Sequence, residues 1–85
     1  MSGVSISDPV AKEDGVEFTA TRGGVEQKFL AHREALQDLD YSVFETAEAL
    51  LKAFHRHQGQ IAAIAGRAMD QGAGAGTTVV LQSLL

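Results

Sequence analysis

The sequence predicts a small α+β domain: an antiparallel sheet built from a β-hairpin and a C-terminal strand, with a short and a long helix packed on one face, in the order β-β-α-α-β. Three observations point there. Residues 15–31 alternate apolar and polar side chains around a Gly-Gly pair, residues 32–70 change to helical spacing, and a β-branched, uncharged run begins at Thr77.

Each element follows from its residues. Residues 1–14 mix Ser, Gly, Asp and Pro and are read as a loose lead-in with one short extended piece at Val4 to Ile6, ahead of a single domain over 15–85. From Gly15, the residues Val16, Phe18 and Ala20 alternate with Glu17, Thr19 and Thr21, the period of a strand with one buried face. Gly23 and Gly24 supply the positive φ that a tight hairpin turn needs, and Val25 to Ala31 then alternate again. Phe18 and Phe29 are therefore expected on the buried face.

In HREALQDL the period changes, with Leu36 and Leu39 on one side, giving a short helix with His32 near its N-cap. Asp38 and Asp40 read as its solvated end. Ser42 to Glu45 has the S-x-x-E form of a capping box, so a long helix is expected to start there and run to about Asp70. Its apolar stripe contains Ala47, Leu50, Leu51, Phe54, Ile61, Ala65, Ala68 and Met69. Gly72 ends it, residues 72–76 (GAGAG) read as a linker, and TTVVLQSLL reads as the final strand.

Composition bounds the function. The chain has 85 residues, 45% of them hydrophobic and 21% charged, and no cysteine, so neither disulfides nor thiolate-held metals supplement its core. Eleven acidic residues against seven scattered basic ones give a net charge of −4. Nucleic-acid binding by phosphate neutralisation needs concentrated cations, so no nucleic acid is expected unless Arg22, Lys28 and Arg33 converge. No run reaches the length of a membrane span and the N-terminal residues lack the pattern of a secretory signal, so a cytoplasmic location is expected.

Candidate chemistry is confined to AFHRHQGQIAAIAG, residues 53–66. On one continuous helix His55 and His57 lie about 200° apart and cannot share a metal, unlike an i, i+4 pair. Both flank the apolar stripe, which suits imidazole. The other reading pairs them with His32 or Asp38 of the short helix. Gln58 falls within the stripe, where a buried amide must find a partner or reach water. Gly59, Ala62, Ala63 and Gly66 form a strip of small residues, where each glycine costs about 1 kcal/mol relative to alanine. That strip is either a close helix contact, with the short helix or a second subunit, or an exposed side where the glycines are tolerated. Tyr41 is expected at the helix junction, GAGAG lacks the strand, helix and lysine of a phosphate loop, and no nucleophile with a positioned base can be assembled. No catalytic residue, metal or cofactor is therefore assigned.

The run GVEFTATRGGVEQKFLAHREAL, followed by LLKAFHRHQGQIAAIAGRAMDQG and TTVVLQS, resembles the domain-of-unknown-function family numbered 1488 over about residues 15 to 83. The shared features are a V-x-F strand, a Gly turn, an R-E-A-L helix, an AF-x-x-(H/N)-(R/Q) helix centre with I-x-x-(I/L)-A, and a closing V-x-L strand. This chain has His32 where members often carry Ser or Thr, and QDLDYSVFETAEA follows no shared pattern. The resemblance implies a compact bacterial α+β protein and carries over no activity and no site residues.

Two function classes follow. One is a non-enzymatic interaction or regulatory module that forms a homodimer and docks a further protein partner. Its interface would use Gly59, Ala62, Ala63 and Gly66, or the apolar final strand at Val80, which needs covering by its own sheet or by another chain. The other is a small-ligand or metal-responsive regulator using His32, His55, His57 and Gln58, marked by a polar cavity between helix and sheet.

Overall fold

The computed structural model describes residues 4–40, 43–72 and 77–82. The hairpin forms as its pattern requires. Strands β2 (Gly15–Arg22) and β3 (Val25–His32) pair antiparallel in unbroken register, with Phe18 opposite Phe29. Gly23 and Gly24 take φ of 57° and 82°, the two consecutive positive angles of a type I′ turn.

The loose lead-in is corrected by an eight-residue strand, β1 (Ser5–Lys12), paired antiparallel with β2. Its alternation is interrupted by a bulge between Ser7 and Val10, where Asp8 sits at φ 53° and Pro9 follows. One inserted residue reverses the in-out parity, so Ile6 and Ala11, five positions apart, stand opposite the core residues Ala20 and Val16.

The final strand is also corrected. β4 (Val79–Leu81) runs parallel to β3, not antiparallel, and the sheet order is β1-β2-β3-β4 with β4 at an edge. Parallel neighbours need a long crossover. Residues 33–78 supply it, and their described residues form three helices in place of two. The element order is therefore β-β-β-α-α-α-β, an α+β fold with a mixed sheet.

Helix α1 (Arg33–Asp40) starts where expected, and the Nδ1 of His32 accepts the Glu34 N–H at 3.2 Å, the capping role anticipated for it. The predicted long helix is split into α2 (Ala47–Arg56) and α3 (Gln58–Asp70) by His57, whose φ and ψ are −109° and 18°. α2 begins at the Thr46 cap, whose Oγ1 accepts from the Ala49 N–H at 3.0 Å, four residues beyond the expected start. Ser42 and Tyr41 lie outside the described residues, as do 73–76 of the linker. Gly72, at φ 79°, follows the end of α3.

The helices cover one face of the sheet. Val16, Phe18, Ala20, Phe29 and Ala31 from that face meet Ala35, Leu36 and Leu39 of α1, Leu50, Ala53 and Phe54 of α2, and Ile61 and Ala65 of α3. Three aromatic rings form its centre. Phe18 stacks on Phe29 with centroids 5.6 Å apart and meets Phe54 at 5.1 Å. Of the predicted stripe, Leu50, Phe54, Ile61 and Ala65 are buried, Leu51, Ala68 and Met69 half-buried, and Ala47 is exposed, since it stands in the first turn of a later-starting helix.

Among the described residues, no helix covers the opposite face of the sheet. Its central row runs Val10, Glu17, Leu30, Val80 across all four strands.

Candidate functional site

The three histidines each have a separate partner, and they are not brought together. His32 caps α1. His55 is exposed, with its Nδ1 3.2 Å from the Gln58 Oε1 and its ring edge-on to Phe54 at 6.0 Å. Gln58 is half-buried, and this contact with His55 answers its place in the stripe. Among the described residues no group of three or more His, Cys, Asp or Glu side chains could hold a metal ion.

His57 reaches across to α1. Its Nε2 lies 2.7 Å from the Asp40 Oδ1, and Arg56 grips the same carboxylate from the other side, with Nε donating to Oδ1 at 3.0 Å and Nη2 to Oδ2 at 2.9 Å. Asp40 is thus corrected from a solvated helix end to a side chain only 7% exposed. The hydrogen bond from Arg56 to Asp40, and then the charge of that carboxylate, raise the pKa of Arg56 above its ordinary value. This cluster fastens the last turn of α1 to the point where α2 gives way to α3. His57 thus takes Asp40 as its partner in place of His32 or Asp38. A signal was present in the sequence, because two acids in the last turn of a helix oppose its dipole and call for a nearby cation.

The small-residue strip borders a groove of about 370 Å³ lined by Val4, Arg22, Gly59, Ala62, Ala63, Gly66, Arg67 and Asp70. Its two glycines differ. A Cβ on Gly66 would stand 3.1 Å from Val4 Cγ2, while one on Gly59 would meet nothing within 4 Å. Arg22 closes the Gly66 end, donating to the Gly66 carbonyl at 3.3 Å and forming an ion pair with Asp70. The close approach at Gly66 therefore involves Val4, just ahead of β1, and Arg22 at the end of β2. Arg33 is likewise engaged internally, with Nη1 donating to the Phe44 carbonyl at 3.1 Å and its backbone N–H to the Asp14 carbonyl at 2.7 Å.

The two edges of the sheet are built differently. β1 carries a bulge, Pro9, Asp8 and Lys12, which are devices that discourage pairing with another chain. β4 carries none: Val79, Val80 and Leu81 are uncharged, and Val80 is 44% exposed. It is held to the fold by pairing with β3 and by the buried Gln27, whose Nε2 donates to the Thr77 carbonyl at 2.5 Å and the Lys28 carbonyl at 3.0 Å.

This fold and sequence have relatives. The family model described as "Protein of unknown function (DUF1488)" matches residues 8–81. The chain belongs to the DUF1488 family. A crystal structure of a DUF1488 protein of unknown function from Shewanella loihica PV-4 superposes with a TM-score of 0.81 at 15% identity, covering 95% of this chain and 93% of that one. At that identity the likeness establishes the DUF1488 fold and nothing about activity. No curated protein matches the sequence. The DUF1488 match begins at Asp8, inside β1, so the family pattern reaches further towards the N-terminus than the residues that carry the sequence resemblance.

Proposed function

We propose that this DUF1488 chain is a non-enzymatic, cytoplasmic bacterial interaction module that self-associates through the β4 edge of its sheet. The contrast between the two edges carries the reading: one is fortified against strand pairing, the other offers three uncharged β-prone residues with Val80 outward. A short domain without disulfides also gains burial from a partner subunit. Supporting a binding role over a catalytic one, the histidines, Asp40 and Arg56 are engaged in fastening helices to one another, with His32 capping α1. No helix of the described residues is long and apolar enough to cross a membrane.

The test is solution mass by light scattering across a dilution series, for the wild type and for Val80→Lys. A wild-type dimer that Val80→Lys converts to a folded monomer is expected. A wild type that stays monomeric throughout would sink the reading.

A further inference from the structure

We infer that two chains join through antiparallel β4 strands about a two-fold axis at Val80, making one continuous eight-stranded sheet. The inference rests on self-association at β4 and adds its geometry, which the pleat of the sheet restricts to few choices.

A two-fold that pairs like edges antiparallel must stand perpendicular to the sheet, so each subunit keeps the same face up and every facing pair shares a face. Val80 stands opposite Leu30 on the face away from the helices, whereas Val79 and Leu81 stand opposite Phe29 and Ala31 of the core face. A pairing of Val80 with either Val79 or Leu81 of the second copy would set an outward residue against an inward one, which the period of two forbids. Three registers remain near the strand centre. Moving one way sets Val80 against Thr78, moving the other sets it against Gln82. Only the register centred on Val80 matches apolar with apolar on both faces: Val80 with its own copy outside, Val79 with Leu81 inside.

Charge permits a second copy as occupant. Residues 77–82 contain no ionisable side chain, so the two edges meet without like-charge repulsion. The apolar residues of the face away from the helices also become contiguous across the axis. The central row of one chain would read Leu30, Val80 and then continue into Val80 and Leu30 of its copy, with Glu17 and Val10 beyond on each side. Both helical layers then lie on the same side of the joined sheet, and the other side doubles its open area.

The absence of cysteine makes the geometry directly measurable. Facing residues of an antiparallel pair have Cα atoms about 4.5–5.5 Å apart, inside the range a disulfide spans. Three single-cysteine variants are compared under mild oxidation at the top of the light-scattering dilution series: Val80→Cys on the axis, Gln82→Cys two residues away, and Val10→Cys on the β1 edge, where exposure is similar at 48%. Val80→Cys is expected to give covalent dimer at least about tenfold faster than either other variant, because only residue 80 faces itself within disulfide reach. Circular dichroism of the reduced proteins checks that all three fold alike.

A wild-type dimer in which Gln82→Cys or Val10→Cys links as fast as Val80→Cys would overturn the two-fold geometry and leave association itself standing. A monomer at every concentration with no preferential link at residue 80 would overturn both, and would leave the β4 edge to a strand from a different protein.

Discussion

Asp40, the last residue of α1, places its Oδ1 2.7 Å from the Nε2 of His57, the residue at which the helical path breaks between α2 and α3. The two are seventeen positions apart in sequence. Their contact ties the end of α1 to the junction of α2 and α3, and Arg56, on the final turn of α2, closes on the same carboxylate. A buried acceptor that loses its charge-assisted bonds costs more than an exposed one. Asp40→Asn is therefore expected to lower unfolding free energy by about 1–3 kcal/mol, read from urea denaturation with an unchanged slope. In a double-mutant cycle with His57→Gln, a coupling above about 0.5 kcal/mol is expected. Strict additivity would show that the two side chains do not act together.

Glycine substitutions are expected to divide by position. Gly15 sits at φ 154°, and a Cβ there would collide with the Ala31 carbonyl oxygen and stand 2.9 Å from the Arg33 nitrogen. Both neighbours are backbone and cannot swing aside. Gly15→Ala should cost more than about 3 kcal/mol, enough to threaten folding at this size. Gly59 lies in ordinary helical conformation with open space where its Cβ would be, so Gly59→Ala should raise stability by about 0.5–1 kcal/mol. Thermal unfolding of the pair measures both signs.

The aromatic centre is the most sensitive part of the core. Phe54 is fully buried and its ring meets Phe18, which in turn stacks on Phe29. Truncating Phe54→Ala should cost about 3–5 kcal/mol, much of the stability of such a domain. Loss of the cooperative thermal transition is the expected observation, whereas a transition kept within a few degrees of wild type would contradict the packing.

Gln27 supplies a gentler way to release β4. Its amide is buried and bonded to the Thr77 carbonyl just before the strand. Gln27→Leu keeps the volume and removes that bond, at about 1–2 kcal/mol. Amide exchange should accelerate at Val79 to Leu81 and stay near wild type in β2. Uniform acceleration would mean that Gln27 supports the whole domain instead.

Much of this architecture could be read from the residues because local rules and tertiary demands agree in the hairpin. Val16 to Ala31 alternate without a break, and Gly23-Gly24 provides the turn. β1 was hidden because its bulge at Asp8-Pro9 reverses the alternation by which a strand is recognised. The split at His57 left no comparable mark. The apolar stripe continues on both sides of it, no proline is present, and the interaction that holds it comes from Asp40, far back along the chain. β4 showed its β character, but its direction depends on how the helices return the chain, which no local pattern encodes. At the candidate site, the residues place His55 and His57 beside the stripe and Gln58 within it, whereas in the fold His55 is exposed and bonded to a half-buried Gln58, and no local pattern names Asp40 as the partner of His57.

The parallel pairing of β4 with β3 also dictates an order of assembly. β1, β2 and β3 join by contacts close in sequence, separated only by tight turns, so their association closes small loops. β4 cannot dock until residues 33–78 have doubled back, which makes it the slowest contact to nucleate. During folding the edge of β3 is therefore bare for longer than any other, with Phe29, Leu30 and Ala31 unpaired along it. At high concentration a refolding chain should lose yield to intermolecular capture at that strand, and a variant with a tighter connection to β4 should recover it.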